Sequence, residues 1–103
     1  MPRSEARVAT RLGQRYMTLL CRHFRHKVPA EVTGDTARAD FPWGAVARMA
    51  ATPDHLQVTC TAGNPADLAR TQDVIAIHLA RFAFRDRPEI IWQPLPEKAT
   101  FVG

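Results

Sequence analysis

A chain of 103 residues with 46% apolar and 23% charged side chains has length for one hydrophobic core and too little for two. That composition excludes a disordered chain, and no apolar run approaches the ~18 residues that a membrane-spanning helix needs. The net charge of +4 is uneven: residues 1–27 carry seven arginines or lysines against one acid, Glu5, while residues 28–103 carry seven basic and nine acidic residues.

Met1-Pro2-Arg3-Ser4-Glu5 lacks the apolar stretch of an export signal, so a soluble cytoplasmic protein is expected. Cys21 and Cys60 form no CxxC pair, and without export they are expected as free, buried thiols.

A short strand over about Ala6 to Ala9 leads to Thr10, an N-cap residue whose hydroxyl can accept from the first free N–H groups. A helix is predicted from Arg11 to about His26. At about 100° per residue its buried side holds Leu12, Tyr16, Leu19, Leu20, His23 and Phe24. Arg11, Arg15, Thr18, Arg22 and Arg25 face solvent, Met17 and Cys21 lie on one flank with Cys21 turned away from His23, and His26 lies on the other. Gly13 lowers local helix propensity by ~1 kcal/mol, and Pro29 stops the helix.

Four strand-like runs follow. Ala30–Thr33 and Thr36–Phe41 flank the turn signal Gly34-Asp35, and Ala45–Ala51 comes after Pro42-Trp43-Gly44. Leu56–Thr61 alternates most cleanly, which means one buried face and suits an antiparallel sheet covered on one side. Asn64 at the cap, Pro65 at the first helical position and Asp67 at the third open a second helix. Leu68, Gln72, Ile75, Leu79 and Phe82 form its core stripe, with Thr71 and His78 on the edge, and Arg85-Asp86-Arg87-Pro88 ends it. Glu89–Trp92 reads as a final edge strand. The predicted fold is a two-layer α+β sandwich in the order β-α-β-β-β-β-α-β, an antiparallel sheet with two helices on one face. Residues 1–93 form the single domain and residues 94–103 an extended tail.

P-loop, GxGxxG, HExxH and GxSxG patterns are all missing, which favours a binding or accessory role over an enzyme. The segment Cys21-Arg22-His23-Phe24-Arg25-His26-Lys27 is the most distinctive. His23 and His26, three residues apart, stand about 60° from each other around the helix. Two imidazoles so placed can approach one metal ion, iron or zinc, but a stable site needs further ligands. His78 is the candidate third, and Asp40 or Asp35 the fourth. The plainer reading makes His23 a core-edge histidine beside a solvated His26 and Lys27. Trp43, bounded by proline and glycine, can anchor a flat ligand or fold over the end of the core. The arginine face could contact nucleic acid, but Tyr16 and Phe24 are predicted inward, which leaves no stacking platform.

Ala9-Thr10, Leu20–Lys27, Phe41-Pro42-Trp43-Gly44, His78–Arg85 and the late Trp92 together resemble the bacterial domain-of-unknown-function family 2218, over roughly residues 4 to 93. The resemblance implies a small stand-alone bacterial domain without an assigned activity. Members look like modules also joined to siderophore-interacting proteins, the flavin-dependent ferric-siderophore reductases. It therefore implies an accessory or ligand-binding role in siderophore-iron metabolism, with such a reductase or a small anionic ligand as partner. His23, His26, Lys27, His78 and Trp43 are the candidate site.

Overall fold

Residues 1–96 are described by a computed structural model. The elements run β1 (Arg3–Ala9), α1 (Gly13–Phe24), β2 (Ala30–Thr33), β3 (Thr36–Asp40), β4 (Val46–Ala51), β5 (His55–Thr61), α2 (Pro65–Phe82) and β6 (Trp92–Leu95). The six strands form one sheet in the order β2-β3-β4-β5-β1-β6, and every neighbouring pair is antiparallel. Period-two alternation gives the sheet one apolar face. Register sets Val8 opposite Leu56, Ala6 and Met49 opposite Val58, and Ala47 opposite Cys60. All are buried, and all but Ala6 join Ile75 and Leu79 of α2 in one core. Arg7, Arg38 and Arg48 on the other face are exposed. Both helices cover the apolar face, the predicted α+β sandwich in the predicted order. No helix among the described residues is long and apolar enough to cross a membrane.

Polar groups inside this layer are paired. Gln72 Nε2 donates to the buried Ser4 Oγ at 2.6 Å, tying α2 to β1. The Tyr16 hydroxyl donates to the Asp86 carboxylate, tying α1 to the segment after α2. Cys21 and Cys60 are free and fully buried. Burial pushes the Cys21 thiol up and that of Cys60 to about 12, so both are inert packing groups.

Helix α2 opens as its sequence indicates, with the Asn64 side chain accepting from the Asp67 N–H at 2.8 Å. Its buried line is Thr71, Ile75 and Leu79, with Leu68, Gln72 and Phe82 half-buried beside it. The helix ends at Phe82, before the predicted stop. The final strand lies three residues later than Glu89–Trp92. Its last residues, Pro94 and Leu95, fall in the stretch predicted as tail, and a proline is tolerated there because β6 is an edge strand. The rest of that tail, from residue 97, lies outside the described residues.

Helix α1 departs most from expectation. Chain entering from β1 keeps a sheet-like bond from the Thr10 N–H to the Asp54 carbonyl, and the Thr10 hydroxyl accepts from the Leu12 N–H at 3.0 Å. The helix consequently starts at Gly13, two residues late, and turns replace it after Phe24. Its buried residues are Gly13, Tyr16, Met17, Leu20, Cys21 and Phe24. Leu12 is 44% exposed and His23 is exposed, whereas Met17 and Cys21 are sealed in the core. The buried stripe is thus turned about 70° from the predicted one, at 3.6 residues per turn. The cause is Gly13, where a Cβ would stand 2.9 Å from the His55 carbonyl oxygen of β5.

Gly13→Ala therefore lowers stability even though alanine is the better helix former. Overpacking of this kind costs about 1–3 kcal/mol, against the ~1 kcal/mol gained in propensity. A lower urea midpoint with an unchanged m-value is the expected readout.

Candidate functional site

Turned in this way, α1 carries His23 out of the core and onto its seam with α2. There its ring meets that of His78, with centroids 4.5 Å apart and planes at 38°. Phe82 and Phe24 flank His23 edge-on, at 6.0 and 5.9 Å. Phe24 also meets His78 at 5.5 Å and Phe41 at 5.4 Å. The cluster ends on Trp43, which stacks on Phe41 at 5.0 Å and 17°.

Trp43 reaches this place through a tight turn. The Gly44 N–H bonds back to the Phe41 carbonyl and the Phe41 N–H to the Ala45 carbonyl. Gly44 takes a φ of 83°, a left-handed conformation that glycine adopts without strain. The indole Nε1 donates to the fully buried Thr71 hydroxyl at 2.8 Å, and that hydroxyl in turn donates to the Asp67 carbonyl. The Arg70 guanidinium covers the ring at 4.0 Å. With Phe41 and Arg70 both packed on its ring, Trp43 folds over the end of the core and presents an edge.

These groups enclose a cleft of about 230 Å³. His23, Phe24, Lys27 and Val28 line it from α1 and the turn after it, Phe41, Pro42 and Trp43 from the β3–β4 turn, and Val74 and His78 from α2. Four of the five residues singled out in the sequence meet here. His26 does not: it lines an adjoining groove with Arg25, Glu31, Arg38 and Asp40, which meets the cleft at Lys27 and Val28. Phe24, Val28, Phe41, Pro42 and Val74 are the contributors that the candidate set missed. Val74 was legible in principle, since Thr71, Val74 and His78 follow the spacing of one helix face.

The chemistry of the cleft is set by its few polar groups. His78 Nδ1 lies 2.7 Å from the Val74 carbonyl oxygen. A carbonyl only accepts, so Nδ1 carries the proton, and it is Nε2 that presents a lone pair whenever the ring is neutral. Loss of water from the His23 ring among its neighbours lowers its pKa, and charge on His78 and His26 when they are protonated, with that of Arg81 and Lys27, lowers it further. Two imidazoles are half of a four-ligand zinc site. Asp40 is committed to Arg38 at 2.8 Å. Among the described residues no three His, Cys, Asp or Glu side chains gather to hold a metal ion, so iron or zinc would need its remaining ligands from outside these residues.

Because the folded state favours neutral His23, the unfolded chain binds more protons just below the ordinary histidine pKa of about 6.5. This contribution to stability is present above that value and is lost as pH falls through the lowered one. In an NMR titration of the imidazoles His23 should titrate below an ordinary histidine. In His78→Ala it should move part of the way back.

The NMR structure of PA4090 from Pseudomonas aeruginosa is similar, with a TM-score of 0.77 and 35% sequence identity over 90% of this chain and 96% of that one. No curated protein matches the sequence. The family model described as "Uncharacterized protein conserved in bacteria (DUF2218)" matches residues 5–93. The chain therefore belongs to the DUF2218 family of uncharacterised bacterial proteins.

Proposed function

We propose that this domain is a binding module for a small organic anion, held in the cleft between α1, α2 and the β3–β4 turn. The observation that carries this reading is the composition of the cleft, an apolar chamber in which Lys27 stands with two imidazoles and no carboxylate. Convergence of a few polar groups in an apolar cavity is the usual form of a small-molecule site. Lys27 supplies charge for a carboxylate. The His78 Nε2 lone pair accepts from a hydroxyl on the ligand, while Phe24, Val28 and Val74 pack its apolar body.

Size limits the ligand. At ~30 Å³ per water in the liquid, the cleft has room for roughly eight waters, which suits a single substituted ring. The link to siderophore iron fits this cleft in one form: one hydroxylated or carboxylate limb of a ferric-siderophore enters, the bulk stays outside, and a ferric-siderophore reductase is the partner.

Calorimetry with 4-hydroxybenzoate and benzoate tests the proposal. 4-Hydroxybenzoate should bind more tightly, since it alone offers a hydroxyl. Lys27→Ala and His78→Ala should each weaken it about tenfold, or 1.4 kcal/mol, while His26→Ala leaves it unchanged. An anion favours protonated His23, so affinity should rise as pH falls below about 6.5. The reading fails if the unmutated domain binds neither compound at millimolar concentration, or if His26→Ala weakens binding as much as His78→Ala.

A further inference from the structure

The outward side of α1 carries a second feature, independent of the cleft. Arg11, Arg15 and Arg22 project from it, all exposed. Among the described residues their side chains make no hydrogen bond or ion pair. The first turn of α1 contains no acidic residue. Arg15 is the third residue of the helix and Arg11 just precedes it. The positive end of the helix dipole disfavours cations there and favours carboxylates. The chain thus places charge where it weakens its own helix; the carboxylate near that end is Asp86, which accepts from Thr10 and Tyr16 rather than from these arginines.

The arginines surround apolar surface. Leu12 is 44% and Phe84 63% exposed, and Leu19 is half-buried. One shallow groove runs along α1 past Leu12, Arg15, Leu19 and Arg22. A second passes Leu12, Arg15, Phe82 and Phe84 to Arg85 and Asp86 beyond the end of α2. Leu12 and Arg15 line both, so the surface is continuous. From Leu12 to Leu19 is about two helical turns, roughly 10 Å.

We infer that this face docks an acidic, amphipathic helical segment of a partner protein. The partner's apolar side covers Leu12, Leu19 and Phe84, and its carboxylates meet Arg11, Arg15 and Arg22. A nucleic-acid backbone would satisfy the arginines alone and leave the leucines uncovered. Helix-in-groove recognition by apolar anchors at helical spacing is the general mode.

An NMR titration of the isotopically labelled domain tests this. The probe is a 21-residue helical peptide built of Leu/Glu heptads, as an order-of-length match to a helix of about 30 Å. It should give saturable shift changes at Leu12, Leu19 and Phe84. Replacing its leucines by serine should weaken binding at least about tenfold, and raising salt should weaken it further because exposed charges are screened. Phe84→Ser should weaken it about tenfold. Arg15→Glu should abolish it, and because glutamate suits the start of a helix, that variant should remain folded. The inference is overturned if the peptide leaves these residues unmoved. It is also overturned if a 20-nucleotide RNA or phosphatidylglycerol vesicles bind this face more tightly than the peptide, or if the same residues shift on simple concentration of the domain.

Discussion

A helix packed on a sheet is normally held off by its own side chains, but at Gly13 the backbone of α1 comes so close to β5 that an added Cβ would meet the His55 carbonyl at 2.9 Å. This approach, followed by Tyr16, Met17, Leu20, Cys21 and Phe24, fixes the rotation of the helix about its axis. The sheet beneath is shaped to accept it, because Ala37, Ala39, Ala47 and Ala51 keep that part of the apolar face low. Small residues on both sides allow close contact, and close contact in a densely packed core leaves a single rotation available.

Everything on the far side of α1 follows from that rotation. Once Cys21 and Phe24 point at the sheet, His23 lies over the seam with α2 and meets His78. Phe24 becomes the floor joining His78 to Phe41 and Trp43. The same turn lifts Leu12 into solvent beside the arginines. The proposed anion cleft and the proposed docking face are thus two consequences of one packing constraint.

Elements with local signals were legible in the sequence. The Asn64-Pro65 start of α2 and the strict alternation of β5 each depend on chemistry within a few residues, and both appear where predicted. The phase of α1 was not legible. Leu12, Leu19 and His23 are as suited to an apolar stripe as Met17 and Cys21, and Gly13 reads in sequence as a weak point of the helix. Its role as a contact requires knowing that β5 lies beneath it. The final strand was misplaced for a related reason: Ile90-Ile91 looks more strand-like than Gln93-Pro94, yet pairing with Ser4 and Glu5 of β1 selects the latter. In the site, His23, Lys27, Trp43 and His78 were legible as residue types. Their assembly was not, since Trp43 and Thr71 are separated by 28 positions and meet through a single hydrogen bond. His26 reads in the sequence as a second ligand beside His23, but the helix ends at Phe24 and the turn that follows carries His26 to a different groove.

The most direct test of this account is an intermolecular NOE spectrum of the labelled domain with 4-hydroxybenzoate. The ring protons of the ligand should show contacts to Phe24, the edge of Trp43 and His78, with none to His26. Contacts to His26 and Arg38 instead, or an absence of contacts to the Trp43–His78 cleft, would contradict the claim that the rotation of α1 creates the binding site.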